Sequence, residues 1–163
     1  MTLPATLSLV SPPAVLRRAV SADVPAIVEL LAADQLGATR DRVRTPADLE
    51  AYQRAFRAID GDPANLLVVA ESGPDVVGTL QLTFIPGLAR RGALRAQIEA
   101  VRVASRYRGN GLGSTILEWA ISEARERGCA LVQLTSDKSR TGAHRFYQRL
   151  GFTASHEGLK LHL

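Results

Sequence analysis

The chain has 163 residues, 46% apolar and 22% charged, ordinary values for one globular domain able to bury its own core. No apolar run approaches the ~20 residues of a membrane-spanning helix, and the single cysteine, Cys129, excludes an internal disulfide and argues against a cysteine-based zinc site. The net charge of +4 is almost all arginine, since only Lys138 and Lys160 are lysines. Those arginines are scattered, without the dense basic patch and interleaved aromatics of a nucleic-acid binder, so neither nucleic acid nor membrane is expected as a partner.

Residues 1–13 carry Pro4, Pro12 and Pro13, which break regular elements, so they read as a flexible tail. The segment has no basic start before its apolar stretch, unlike a secretory leader, and a cytoplasmic location is expected. A single domain then spans 14–163. Ala14 to Val20 reads as a strand. Ser21 is placed to cap a helix whose stripe is Val24, Ile27, Val28 and Leu31. A polar linker with Arg40, Asp41, Arg42 and Arg44 leads to Thr45-Pro46-Ala47-Asp48, a helix start with a hydroxyl cap, proline at the first position and an acid in the first turn. Leu49, Tyr52, Phe56 and Ile59 continue that helix.

Leu66–Glu71 and Val76–Ile85 read as a hairpin joined by Ser72-Gly73-Pro74-Asp75. Arg95–Val103 reads as a further strand. Glycine-rich Gly109–Gly113 opens into a helix over about 112–127. A short strand at 130–135 and a helix at 142–150 follow, stopped by Gly151. The tail from Phe152 to Leu163 has the pattern for one or two more strands. The order is that of a mixed α/β sheet, antiparallel early and β-α-β late.

The chemistry is concentrated where the strand ending at Val101-Arg102-Val103 passes through Arg108-Gly109-Asn110-Gly111-Leu112-Gly113-Ser114 into a helix. A helix start offers unpaired N–H groups and partial positive charge. Glycines allow close backbone approach, and the two together make a cradle for a pyrophosphate. The G-x-G-x-G spacing fits neither the dinucleotide turn nor the lysine-bearing P-loop. On the glycines alone, a structural turn stays open.

Arg108–Gly113 resembles the [QR]-x-x-G-x-[GA] motif of the GNAT superfamily of N-acetyltransferases. Ala143-His144-Arg145-Phe146-Tyr147-Gln148-Arg149-Leu150-Gly151-Phe152 resembles that family's A-x-x-x-Y-x-x-x-G-F segment, in the expected order. The resemblance implies a central mixed, mostly antiparallel sheet with a splayed parallel strand pair and helices on both faces. It implies transfer of an acetyl group from acetyl-CoA, as co-substrate, to a primary amine on a small molecule or peptide; His144, His156 and His162 have spacings that match no metal motif, so no metal is expected. Backbone groups of Val101, Arg102 and Val103 would meet the pantetheine arm. Amides of Gly109, Asn110, Gly111, Leu112, Gly113 and Ser114, with Arg108, would hold the pyrophosphate, and Tyr147 would protonate the departing thiolate. Arg140 stands where many members carry asparagine, and either meets a CoA phosphate or lies on the surface. The same scaffold also serves as a non-catalytic acyl-CoA-binding or protein-interaction module.

Glu99 is the expected general base, an acid on an otherwise apolar strand just before the cofactor motif. Strict alternation puts it on the face of Val101 and Val103, where apolar surroundings would raise its pKa; a bulge would re-aim it. Tyr147 is the expected acid, with a core aromatic as its alternative. Cys129 reads as an inert thiol rather than a nucleophile, and His144 as a surface residue. The stripe Thr79, Gln81 and Thr83, with Gln97 and the Arg40–Arg44 linker, is the candidate acceptor surface, and its arginines suit a substrate bearing carboxylate or phosphate. Exposed strand edges near the C-terminus suit a homodimer.

Overall fold

The computed structural model describes residues 3–7, 13–34, 37 and 40–161. Six strands form one sheet in sequence order: β1 (Ala5–Leu7), β2 (Ala14–Arg18), β3 (Asn65–Ser72), β4 (Asp75–Ile85), β5 (Arg95–Val103) and β6 (Leu131–Leu134). All neighbours are antiparallel except β5 and β6. The helices are α1 (Val24–Ala32), α2 (Pro46–Asp60), a single turn α3 (Ala89–Gly92), α4 (Leu112–Glu126) and α5 (Thr141–Arg149). This is the mixed α/β fold expected, with a parallel pair between β5 and β6.

Alternation along the strands builds two cores, one on each face. Leu80, Leu82 and Phe84 of β4 and Ala96 and Ile98 of β5 meet Leu112, Ile116, Trp119 and Ala120 of α4. On the opposite face, Val69 of β3 meets Ile27 and Val28 of α1 and Phe56 of α2. Gly78 on β4 permits the first contact, because a Cβ there would lie 2.9 Å from Ile116 Cδ1.

The cap predicted at Thr45 is formed. Its hydroxyl accepts the Asp48 N–H at 3.2 Å, while Asp48 Oδ2 accepts the N–H groups of Thr45 and Arg44, each at 2.9 Å, a reciprocal capping box. Ser21 does not cap α1. It opens a 3-10 turn, and Asp23 precedes the helix instead. The Asp23 carboxylate accepts the Val20 N–H at 2.7 Å and both terminal nitrogens of Arg17 at 2.7 and 2.9 Å. A hydroxyl has no charge to offer Arg17, so the acid takes the position.

Both ends of the chain depart from expectation. Part of the predicted flexible tail is strand β1, with Ala5 and Leu7 buried against the core; Ala5 pairs with Leu16 of β2. Proline bars a residue from donating in a ladder, but the three residues that follow Pro4 suffice for this edge strand. Residues 1–2 and 8–12 lie outside the described residues. No strand follows β6 among the described residues. A turn closes by the Ser155 N–H to Thr153 O at 3.0 Å, and Glu157 pairs with Lys138 at 3.1 Å. These contacts carry the tail off the sheet and leave Leu159 and Leu161 exposed.

Candidate active site

The site is organised by one extra residue in β5. Thr79 pairs with Arg102 but Gln81 pairs with Glu99, so three steps of β5 face two of β4. Ala100 carries the bulge, with φ of 54°, left-handed and strained for a residue with a Cβ. Strict alternation fails here. Val101 and Val103 pack towards the α4 core, while Glu99 and Arg102 turn to the α1 side, where Arg102 reaches Asp34 just past the end of α1. Glu99 is exposed, so the apolar enclosure expected for it is absent.

Beside the bulge the sheet opens. The β5–β6 ladder runs only from Arg95–Leu131 to Ile98–Leu134, and the rest of β5 has no partner on that side. The Ala104 N–H goes to Val77 O of β4 at 2.8 Å. By alternation the Val103 and Val101 amides face the open side. Their carbonyls already accept from arginines, Val101 O from Arg102 Nη1 at 2.8 Å and Val103 O from Arg108 Nε at 3.0 Å. The free amides are therefore the better partners for an entering chain.

The glycine-rich turn lies at the end of this opening. Gly109 and Gly111 both have φ of 82°, a backbone that glycine adopts without strain. Gly111 is the residue before α4, and its carbonyl accepts the Thr115 N–H at 3.0 Å. Among the described residues, no backbone hydrogen bond is donated from Gly109 to Ser114. Leu112 is fully buried, so it offers only its main chain. A Cβ on Gly113 would sit 3.5 Å from Phe146 of α5, which brings α5 close to the same helix start.

α5 carries Tyr147, packed against the edge of the core. Its ring packs on Phe146 at 5.3 Å and Phe152 at 5.9 Å between centroids. Burial raises its phenol above the ordinary value, against the opposing pull of Arg140 and Arg102, so the proton stays on at neutral pH. Asp34 joins the two arginines, with Oδ1 3.2 Å from Arg140 Nη2 and Oδ2 3.5 Å from Arg102 Nη2. Arg140 is thus held at the start of α5 by an ion pair. The sequence reading missed Asp34; its one signal was that Arg102, on a half-buried strand, needs a counter-charge from outside that strand.

The outlying candidates fall elsewhere. His144 Nε2 contacts Asp137 O at 2.8 Å. Burial pushes the Cys129 thiol up, which suits an inert side chain. Thr83 bonds Asn65 at 2.7 Å and Gln133 bonds Gln97 at 2.8 Å, so much of the polar stripe is tied to itself. Arg40, Arg42, Arg44 and Asp48 line an open hollow of about 210 Å³ at the start of α2.

Comparison with known proteins agrees with this architecture. The sequence is 30% identical to an aminoalkylphosphonate N-acetyltransferase of Salmonella typhimurium, over 90% of each chain. A solved structure of a transcriptional regulator from Bacillus halodurans C-125 has 49% identity and a TM-score of 0.87, covering 92% of this chain and 99% of that one. A predicted acetyltransferase from Clostridium acetobutylicum, solved with acetyl-CoA, shares the fold at 22% identity and a TM-score of 0.71, over 90% and 94% of the two chains. The sequence model of the acetyltransferase (GNAT) family matches residues 26–152, and the chain belongs to that family.

Proposed function

We propose that this protein transfers an acetyl group from acetyl-CoA directly to a primary amine. The observation that carries the reading is the run of unengaged amides from Gly109 to Ser114 beside the unpaired end of β5. The amides and the α4 dipole suit a pyrophosphate, with Arg108 at the rim. The open edge at Val101 and Val103 suits the pantetheine arm, which would add hydrogen bonds where β6 departs. The residues present therefore fit the cofactor, which supplies an activated acetyl thioester.

The side chains suit the rest of the reaction. Glu99 faces the α1 side, accessible to an incoming amine, and accepts the proton that nitrogen must lose, directly or through a water. The nitrogen lone pair forms the new C–N bond as the C–S bond breaks. Tyr147, protonated at neutral pH, donates to the departing sulfur and is recharged from solvent. The products are the amide and the free thiol, with one proton released from the ammonium form of the acceptor. Cys129 takes no part, so transfer is direct.

Thiol release over a panel of amines tests this. Glu99→Gln and Tyr147→Phe should each lower kcat by about 10²-fold, with KM for acetyl-CoA nearly unchanged. Normal turnover in both variants would remove them from the mechanism. The similarity to a transcriptional regulator favours a second, non-catalytic reading on the same scaffold. Saturable acetyl-CoA binding with no thiol release from any amine would select it.

A further inference from the structure

We propose that the acceptor is a small amine bearing an oxyanion, phosphonate or carboxylate, and that Arg102 and Arg140 bind that oxyanion. This rests on the acetyl-transfer reading above and names the substrate class of the same site.

α4 and its amides lie on one face of the sheet, so a cofactor held there leaves the α1 face for the acceptor. The Ala100 bulge turns Arg102 to that face together with Glu99. Arg140 meets it from α5 through Asp34. Two guanidiniums share one carboxylate, leaving an excess positive charge in a site where the Arg102 and Arg140 side chains are only 11% and 31% exposed. The pairing is also incomplete. Arg102 Nε is a buried donor without a hydrogen-bond partner. Structural ion clusters normally balance charge and satisfy their donors; this one is short of an anion. A phosphonate or carboxylate would supply it, and guanidinium forks match either group.

Two further features agree. Burial weakens Arg102's hold on its proton, Asp34 offsets this, and Arg140 and Arg40 add to it. Tyr147 also feels Arg102 and Arg140, which puts the proposed anion site beside the proposed proton donor. A small amine would then be anchored at the arginines by its oxyanion, with its nitrogen free to reach the thioester.

The experiment compares 2-aminoethylphosphonate, β-alanine and propylamine as acceptors in the thiol-release assay. The phosphonate and carboxylate should each exceed propylamine in kcat/KM by more than tenfold; which of the two is better identifies the oxyanion. Arg140→Gln should raise KM for the charged acceptors about tenfold and lower propylamine turnover by much less, with KM for acetyl-CoA within twofold. Arg102→Lys, which keeps the charge but loses the fork, should fall between. Equal use of propylamine, or an equal loss for all three acceptors in Arg140→Gln, overturns the proposal. Should no amine release thiol, acetyl transfer fails but this site is still decided. Calorimetric binding of 2-aminoethylphosphonate that is lost in Arg140→Gln upholds it, and no binding to the wild-type protein overturns it.

Discussion

The two halves of the sheet are built to different standards. β2, β3 and β4 are paired on both sides, and Leu16, Val68, Leu80, Leu82, Leu112, Ile116 and Leu117 are fully enclosed. At β6 and α5 no residue is fully buried; Phe146, Tyr147, Leu150 and Phe152 only lean against the core. The antiparallel half needs nothing more to be stable. The parallel half is left open along β5, where our functional reading puts a ligand. Scaffold and site are thus separated within one sheet, and the bulge at Ala100 stands at their border.

The sharpest test of the closed half is Trp119→Ala, which empties the contact between α4 and the sheet. A loss of about 4 kcal/mol is expected in urea unfolding, far above any truncation in α5. The open half is tested by Tyr147→Phe, which keeps the ring packing but removes the proton. Turnover should fall about 10²-fold while the melting temperature holds. A large fall in stability instead would make Tyr147 a core residue and blur the division. Ligand should act on the open half alone. Acetyl-CoA at 100 times its Kd should stabilise the protein by about 2.7 kcal/mol, with new hydrogen-exchange protection in β6, α5 and Gly109–Ser114 and none in β3 or β4.

Two smaller effects sharpen the same line. Burial alone pushes the Asp23 carboxyl up, but Arg17 and the Val20 N–H outweigh it and hold it below the usual carboxylate range. The unfolded chain therefore binds that proton first. The stability from this pair is complete above about pH 4 and declines as the pH falls further. Asp23→Asn should cost about 2 kcal/mol at pH 7, flatten the acid limb of the stability curve and leave KM for acetyl-CoA unchanged. Gly111→Ala strains a left-handed backbone by about 1 kcal/mol; its main readout is a higher KM for acetyl-CoA.

Wherever local rules decide, the sequence was a good guide. The β3–β4 hairpin, the capped start of α2 at Thr45 and the glycine turn into α4 are written in neighbouring residues, because capping, turn geometry and helix phase act over four or five positions. The motif Arg108–Ser114 was legible for the same reason. The ends of the chain were harder. Ala5–Leu7 lies between prolines and becomes a strand only because β2 is there to pair with it. The tail past Phe152 has strand-like alternation but turns at Ser155.

The sequence by itself determined the order of the main elements from β2 to α5, the two core faces and the place of the glycine-rich turn, all consequences of periodicity and short-range hydrogen bonding. Tertiary structure decided which way the chemistry points. The bulge at Ala100 exists only in register against β4, and it puts Glu99 and Arg102 on the face opposite Val101. Asp34, Arg102 and Arg140 come from three elements far apart in the chain, and only folding brings their charges within a few ångströms, where Coulomb attraction and desolvation act with full force.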